Sequence, residues 1–278
     1  IPMEQVLKTM LENVRAKSPL VHNITNYVTV NDVANVLLAA GGSPIMSDDA
    51  DDVEDITSIC GGLNINIGTL NKNTIPSMFL AGKKANALGH IVLLDPVGAG
   101  ASRLRTDTAN RLMQEVRFDA VRGNISEIKT LCTGSGSTKG VDADAVDAVT
   151  EANLDDGVQL VKTFAAQTGC IIAVTGAIDL VSDGARCWCI RNGRVEMSRI
   201  TGTGCQLSAL MPAFLVANPD RKLDAAAAAV CMMGLAGEIG WANMQPGDGN
   251  STYRNRIIDA IFNMTGDALE EGAKYELR

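Results

Sequence analysis

Ile200-Thr201-Gly202-Thr203-Gly204-Cys205-Gln206-Leu207 lies between a strand-like stretch and the apolar run Leu207 to Val216. Gly202 and Gly204 tolerate backbone angles that side-chain-bearing residues resist, so successive N–H groups can converge at the first turn of the helix that follows. The helix dipole favours an anion at the same point. The stretch therefore reads as a seat for a transferring phosphate, closed by the thiol of Cys205. Gly-Thr-Gly alone is equally an ordinary loop, because single short motifs recur without function. The rest of the chain has to decide.

Outward from this turn, short apolar runs ending in Gly, Asp or Asn alternate with longer stretches of helical period, the rhythm of a parallel sheet. Val6, Leu7, Met10, Leu11 and Val14 mark a first amphipathic helix, and Pro19 to Ile24 lead into Asn23-Ile24-Thr25-Asn26. A second helix is predicted from Val28 to Ala39, stopped by Gly41-Gly42. Leu63 to Ile67 reads as a strand, Ile75 to Leu88 as a helix and His90 to Leu94 as a buried strand. Asp119 to Arg122 is a short strand, Ser126 to Leu131 begins a helix, Leu154 to Gln167 is a helix and Cys170 to Val174 a buried strand. Ile178 to Ser182 and Cys187 to Ile190 form a hairpin around Asp183-Gly184. Three helices are expected to close the chain, over Cys205 to Val216, Ala225 to Trp241 and Thr252 to Gly272. The alanines from Ala225 to Ala229 read as a close-packing helix face.

Composition narrows the function. The 278 residues are 46% apolar, enough for a sizeable core, and no linker or internal repeat divides them. No stretch reaches the ~18 consecutive apolar residues of a membrane span, and the first residues lack the order of a signal peptide. A cytoplasmic protein without membrane contact is expected. Seven cysteines without framework spacing suit free thiols in a reducing compartment. Cys187 and Cys189 share one strand face and read as buried thiols rather than a zinc site. A net charge of −8 with no basic stripe disfavours nucleic acid, whose phosphates demand concentrated positive charge. Thr133 to Gly140 lacks the Gly-Lys-Ser/Thr order of a Walker loop and reads as a surface loop.

Ligands of an open parallel sheet bind beyond the carboxyl ends of its strands. Asp95 stands at such an exit, directly after Ile91-Val92-Leu93-Leu94, although Asp95-Pro96 is also an ordinary turn starter. Asn124 and Glu127 follow the next strand, three residues apart, and suit either a helix cap or a hard divalent ion completed by water and phosphate oxygens. Arg122 offers a fork to phosphate. Thr175 is a third strand exit, within reach of nucleotide. Asn23, Asn26 and the segment Gly41 to Met46 outline a small mixed pocket with Met46 as a soft wall.

Together, Val21-His22-Asn23-Ile24-Thr25-Asn26, Gly41-Gly42-Ser43-Pro44-Ile45-Met46, Leu94-Asp95-Pro96-Val97-Gly98-Ala99-Gly100, Arg122-Gly123-Asn124-Ile125-Ser126-Glu127-Ile128 and Thr201-Gly202-Thr203-Gly204-Cys205 resemble the hydroxyethylthiazole kinases of thiamine salvage, in order and across nearly the whole chain. The resemblance implies an α/β, ribokinase-like single domain over residues 1–278, with a mostly parallel central sheet flanked by helices and no separate lid. It implies transfer of the ATP γ-phosphate to the primary hydroxyl of 4-methyl-5-(2-hydroxyethyl)thiazole with Mg²⁺. By the same resemblance Met46 and Gly202 are substrate contacts, with Asn26 and Asn23 in that pocket. Arg122 and Thr175 are ATP contacts, with Asn124 grouped beside them, and Asp95 and Glu127 are the metal-side carboxylates. Gly202, Gly204 and Cys205 form the catalytic turn.

Cys205 stands where the wider superfamily usually has an aspartate, and an unperturbed thiol with a pKa of roughly 8.5 is a poor base at neutral pH. It is therefore assigned to orienting the hydroxyl. The alternatives are another activity on the same fold, either a hydroxymethylpyrimidine-type kinase or an ATP-dependent dehydratase of hydrated nicotinamide nucleotides, or, in a different class, a non-catalytic nucleotide or thiamine-precursor sensor. The resemblance also implies a homotrimer, with the Met46 segment of one chain facing the Cys205 turn of another.

Overall fold

The continuous apolar run at residues 91 to 94 leaves no polar face, so it must be covered on both sides. In the computed structural model, which describes residues 4–134 and 147–278, it forms β4 (Ile91–Asp95) near the middle of a nine-stranded sheet. Around it lie β1 (Leu20–Ile24), β2 (Ser43–Met46), β3 (Gly62–Asn66), β5 (Ala120–Gly123) and β6 (Ile171–Val174), all paired in parallel. The strands β7 (Asp179–Ser182), β8 (Cys187–Ile190) and β9 (Tyr275–Leu277) extend the far side in antiparallel pairs. The spatial order is β2-β1-β3-β4-β5-β6-β7-β8-β9, so β2 is an edge.

Side chains alternate between two helical layers, as strand periodicity demands. Leu93, Ala120 and Ala173 join a core with α1 (Val6–Lys17), α2 (Val30–Ala40), α8 (Thr203–Ala217), α9 (Lys222–Ala242), α10 (Asn250–Asn263) and α11 (Gly266–Gly272). Val92, Leu94, Val121 and Ile172 face the opposite core, built with α3 (Val53–Ile59), α4 (Thr74–Leu88), α5 (Arg103–Glu115), α6 (Ile125–Gly134) and α7 (Leu154–Thr168). Cys187 and Cys189 are buried in this second core, and no disulfide joins any of the seven cysteines.

The α9 helix is long and apolar enough to cross a membrane by length and composition. Its alanines 225 to 229 are fully buried instead, packed against α8 and α10. A helix that is apolar all round belongs in a core as readily as in lipid.

Several elements depart from the sequence reading. The segment from Ser43 to Met46, expected only as pocket wall, is a strand held by one neighbour. The helices α3 and α5 and the strand β9 gave no apolar pattern strong enough to announce them. The closing helix predicted over Thr252 to Gly272 is two helices: Met264 turns extended, and Thr265 caps α11 by accepting from the Ala268 N–H. Thr133 and Gly134 finish α6, and the remainder of the loop expected there, from 135 to 140, lies outside the described residues.

Candidate active site

Register brings the site together. Asn66 pairs with Asp95 across β3 and β4, and Arg122 lies on the next strand over. Above this carboxyl edge Gly202, at φ +101°, opens α8. A Cβ on Gly202 would stand 2.7 Å from Thr29 Cγ2, so glycine is required by both angle and space. Gly204, in the first turn, packs so closely on the Arg122 guanidinium that a Cβ there would meet Nη2 at 3.0 Å. The first N–H groups of α8 have no intrahelical acceptor, and Gln206 N returns to Gly202 O at 2.8 Å.

Beneath the turn, Arg122 is buried and spreads its fork over three partners. Nε donates to Ser208 Oγ at 2.7 Å, Nη1 to Thr175 Oγ1 at 2.8 Å and Nη2 to Asp95 Oδ2 at 2.8 Å. Burial opposes its charge, yet the Asp95 carboxylate holds the guanidinium above the ordinary arginine value. Ser208 and Asn66 also donate to Asp95 Oδ2, at 2.7 and 3.3 Å. Asp95 Oδ1 is buried with no hydrogen-bond partner among the described residues.

Cys205 Sγ accepts from two amides, Asn26 Nδ2 at 3.3 Å and Asn66 Nδ2 at 3.2 Å. Asn26 is itself fixed, because its Oδ1 accepts from Thr29 N and Oγ1, both at 3.1 Å. Met46 and Cys205 pack on the same small cluster of Val21, Val33, Leu37, Ala209 and Ala213. Met46 and Cys205 thus border one cluster within a single chain. Asn23 sits deeper, with Nδ2 donating to Val21 O and Oδ1 accepting from Asn64, and it supports the pocket from below.

Asn124 and Glu127 form the reciprocal cap that their spacing allows: Asn124 Oδ1 accepts from Glu127 N at 2.8 Å, and Glu127 Oε1 from Asn124 N at 2.9 Å. Glu127 Oε2 accepts from Gly98 N at 2.8 Å and thus ties the β4 exit to α6. Burial pushes the Glu127 carboxyl above its usual range despite these donors, and nearby Asp95 adds to the shift. Among the described residues no group of three His, Cys, Asp or Glu could hold an ion.

A cavity of 530 Å³ opens on the other side of the turn, from Thr175 and Gly204 to Val195, Met197, Val230 and Met233. Sequence reasoning missed Asn66, Ser208 and Asp179 around these spaces. Asn66 ends a strand as Asp95 does, so the strand-exit rule applied to Leu63 to Ile67 finds it. Ser208 stands three residues beyond Cys205, on the same side of a helix.

A mostly parallel sheet with a glycine turn and helix amino terminus at its carboxyl edge is the architecture of the ribokinase-like small-molecule kinases. A pyridoxal kinase from Staphylococcus aureus, solved with AMP-PCP and pyridoxal, shares the fold at a TM-score of 0.63 and 14% identity, covering 94% of this chain and 98% of that one. Within that class the chain belongs to the hydroxyethylthiazole kinase family, whose model matches residues 11–267. It is similar to the hydroxyethylthiazole kinase of Clostridium acetobutylicum, 58% identical over 98% of this chain and 99% of the relative. It is also similar to the solved hydroxyethylthiazole kinase protein of Pyrococcus horikoshii, with a TM-score of 0.87 and 32% identity over 99% of this chain and all of the other.

Proposed function

We propose that this protein transfers the γ-phosphate of ATP to the primary hydroxyl of 4-methyl-5-(2-hydroxyethyl)thiazole. The observation that carries the reading is the placement of Cys205, held by Asn26 and Asn66 directly beside the Asp95–Arg122 pair and at the mouth of the α8 anion turn. Family membership supplies the acceptor.

The thiazole lies between Met46, Asn26 and the Gly202 turn, and the triphosphate runs from the Thr175–Met233 cavity toward the α8 amino terminus. The hydroxyl oxygen attacks the γ-phosphorus, the bond to the bridging oxygen breaks, and ADP leaves. Thr203, Gly204 and Cys205 N–H groups face the charge that builds on the phosphoryl oxygens. A loose transition state asks little of a base, so Cys205 serves by orienting the hydroxyl, whose proton passes late to an oxygen of the transferred phosphoryl group. Arg122 holds Thr175 and Asp95 in place for the phosphates.

Mg²⁺ fits the donor set: Asp95 Oδ1 is a buried carboxylate oxygen without a partner, and Glu127 stands close enough to feel the charge of Asp95. Two carboxylates suffice for a cation that keeps waters and takes its other ligands from phosphate. When bound, it neutralises the β and γ oxygens. Seven cysteines without a disulfide among them support a reducing, cytoplasmic setting.

Self-association as a homotrimer completes the reading. Tyr27 and Val28, next to Asn26, are 79% and 58% exposed, and a neighbouring subunit over them would close the thiazole side of the site. ADP release with a panel of thiazole, pyrimidine and sugar alcohols tests the function. A pyrimidine alcohol turned over far faster than the thiazole overturns it, as does tight binding without ADP production. Light scattering that finds an active monomer overturns the trimer.

A further inference from the structure

The cavity beside the anion turn holds one carboxylate among its described lining residues. Asn192 in its wall is fully engaged, donating to Glu238 Oε2 at 2.7 Å and Gly272 O at 2.9 Å and accepting from Lys274 N at 2.8 Å. Arg194 is occupied by Glu196. Asp179, the first residue of β7, also lines the cavity. Its Oδ1 accepts from Gly176 N at 2.9 Å, whereas no donor among the described residues reaches Oδ2.

From this arrangement we propose that Asp179 receives the hydroxyls of the nucleotide ribose and makes the enzyme prefer ribonucleoside over deoxyribonucleoside triphosphates. The inference rests on the cavity being the nucleotide site of the proposed kinase. Three parts of the nucleotide compete for Asp179, and chemistry leaves one. The triphosphate is repelled by a carboxylate. The base suits the apolar side chains Val195, Met197, Val230 and Met233 rather than a carboxylate. Between base and phosphate stands the ribose diol, whose two O–H groups are donors, and Asp179 is the one carboxylate among the described residues of that wall, the strongest acceptor it offers them. Burial pushes the Asp179 carboxyl up to about 7, so the charged form is disfavoured there and gains from hydroxyl donors.

The experiment compares ATP, 2′-deoxy-ATP and 3′-deoxy-ATP in the parent protein, Asp179→Ala and Asp179→Asn. In the parent, at least one deoxynucleotide should lose about tenfold in kcat/KM, the scale of one hydrogen bond to a charged group. In Asp179→Ala, ATP should fall to the level of that analogue, leaving the two within about twofold. Asp179→Asn keeps an oxygen for Gly176 N–H, so it guards against a folding defect, and it should lie between. Equal use of ATP and both analogues by the parent overturns the proposal, and so does parental discrimination retained in Asp179→Ala. Calorimetric binding of the same three nucleotides without any alcohol gives the same comparison. A wrong assignment of the acceptor substrate therefore leaves this result intact, whereas a wrong assignment of the cavity abolishes binding in it.

Discussion

Asp95 meets Arg122 through one carboxylate oxygen only: Oδ2 takes the guanidinium at 2.8 Å, with Ser208 and Asn66 on the same atom, and Oδ1 is left buried and unpaired. Three donors on one oxygen fix the carboxylate plane and leave the other oxygen to the cation proposed above. Removing Arg122 would strand a buried charge. Arg122→Ala should lose about 3–5 kcal/mol of stability, the usual result of breaking a buried pair from one side. Arg122→Lys, with a point charge in place of the fork, should remain folded and show a raised KM for ATP. Urea unfolding and steady-state kinetics check this, and a Lys variant with unchanged KM for ATP refutes the ATP role.

Cys205 accepts two amide N–H groups, so its replacement separates holding from proton transfer. Cys205→Ser keeps this acceptor for Asn26 and Asn66, whereas Cys205→Ala removes it and leaves Asn26 its bond to Asn66 Oδ1 and Asn66 its bond to Asp95 Oδ2. General-base catalysis is worth roughly 10²–10⁴-fold. Turnover of Cys205→Ala should fall by less than the lower end of that range, with Cys205→Ser above it. Complete loss with ATP binding intact would show that the thiol takes the proton.

Glu127 offers both oxygens to backbone N–H groups, of Asn124 and Gly98. In Glu127→Gln the amide nitrogen must face one of these donors, for a loss of about 1–3 kcal/mol. The same change should raise the Mg²⁺ needed for half-maximal rate. A magnesium titration that does not move, together with a lowered urea midpoint, would reduce Glu127 to a cap.

Gly202→Ala forces an L side chain to φ +101° and a Cβ to 2.7 Å from Thr29 Cγ2. Thr29 holds Asn26, and Asn26 holds Cys205, so the strain reaches the reacting atoms. Displacement on the scale of ~1 Å at such a centre lowers turnover by up to about 10²-fold. Adding Thr29→Ser removes the clashing methyl but keeps the hydroxyl, and should restore part of the rate. If the double variant is no better than the single one, the backbone angle alone is responsible.

Asp179 carries a pH signature. Its carboxyl is pushed up to about 7 by burial, against about 3.9 in an unfolded chain. The folded state holds this proton more tightly, so the group's stabilising contribution is complete below about pH 4 and is lost as pH rises through the folded value. Asp179→Asn never ionises. Its melting temperature relative to the parent, without nucleotide, should therefore rise between about pH 5 and pH 8. A difference that stays constant over that span would contradict the shift.

Much of the architecture was legible in the chain because burial on both faces writes continuous apolar runs, as in Ile91 to Leu94, and amphipathic helices write a 3.6-residue period, as in Val6 to Val14. Glycine caps were equally readable, and Gly41 does end α2 at φ +100°. Elements with mixed surfaces were not. The half-buried strand Ser43–Met46 and the polar helix Arg103–Glu115 acquire their structure from what they pack against.

The sequence by itself determined which residues stand at strand exits and at the glycine turn, because those positions follow from local backbone chemistry. It named Asp95, Arg122, Glu127, Thr175 and Cys205 without showing how they meet. Only tertiary structure decided that Asn66 bridges Asp95 and Cys205, that Ser208 shares the Asp95 oxygen with Arg122, and that Asp179 keeps an open oxygen in the cavity. Such contacts join residues as far apart as 139 positions, and depend on strand order and register, which no local pattern encodes.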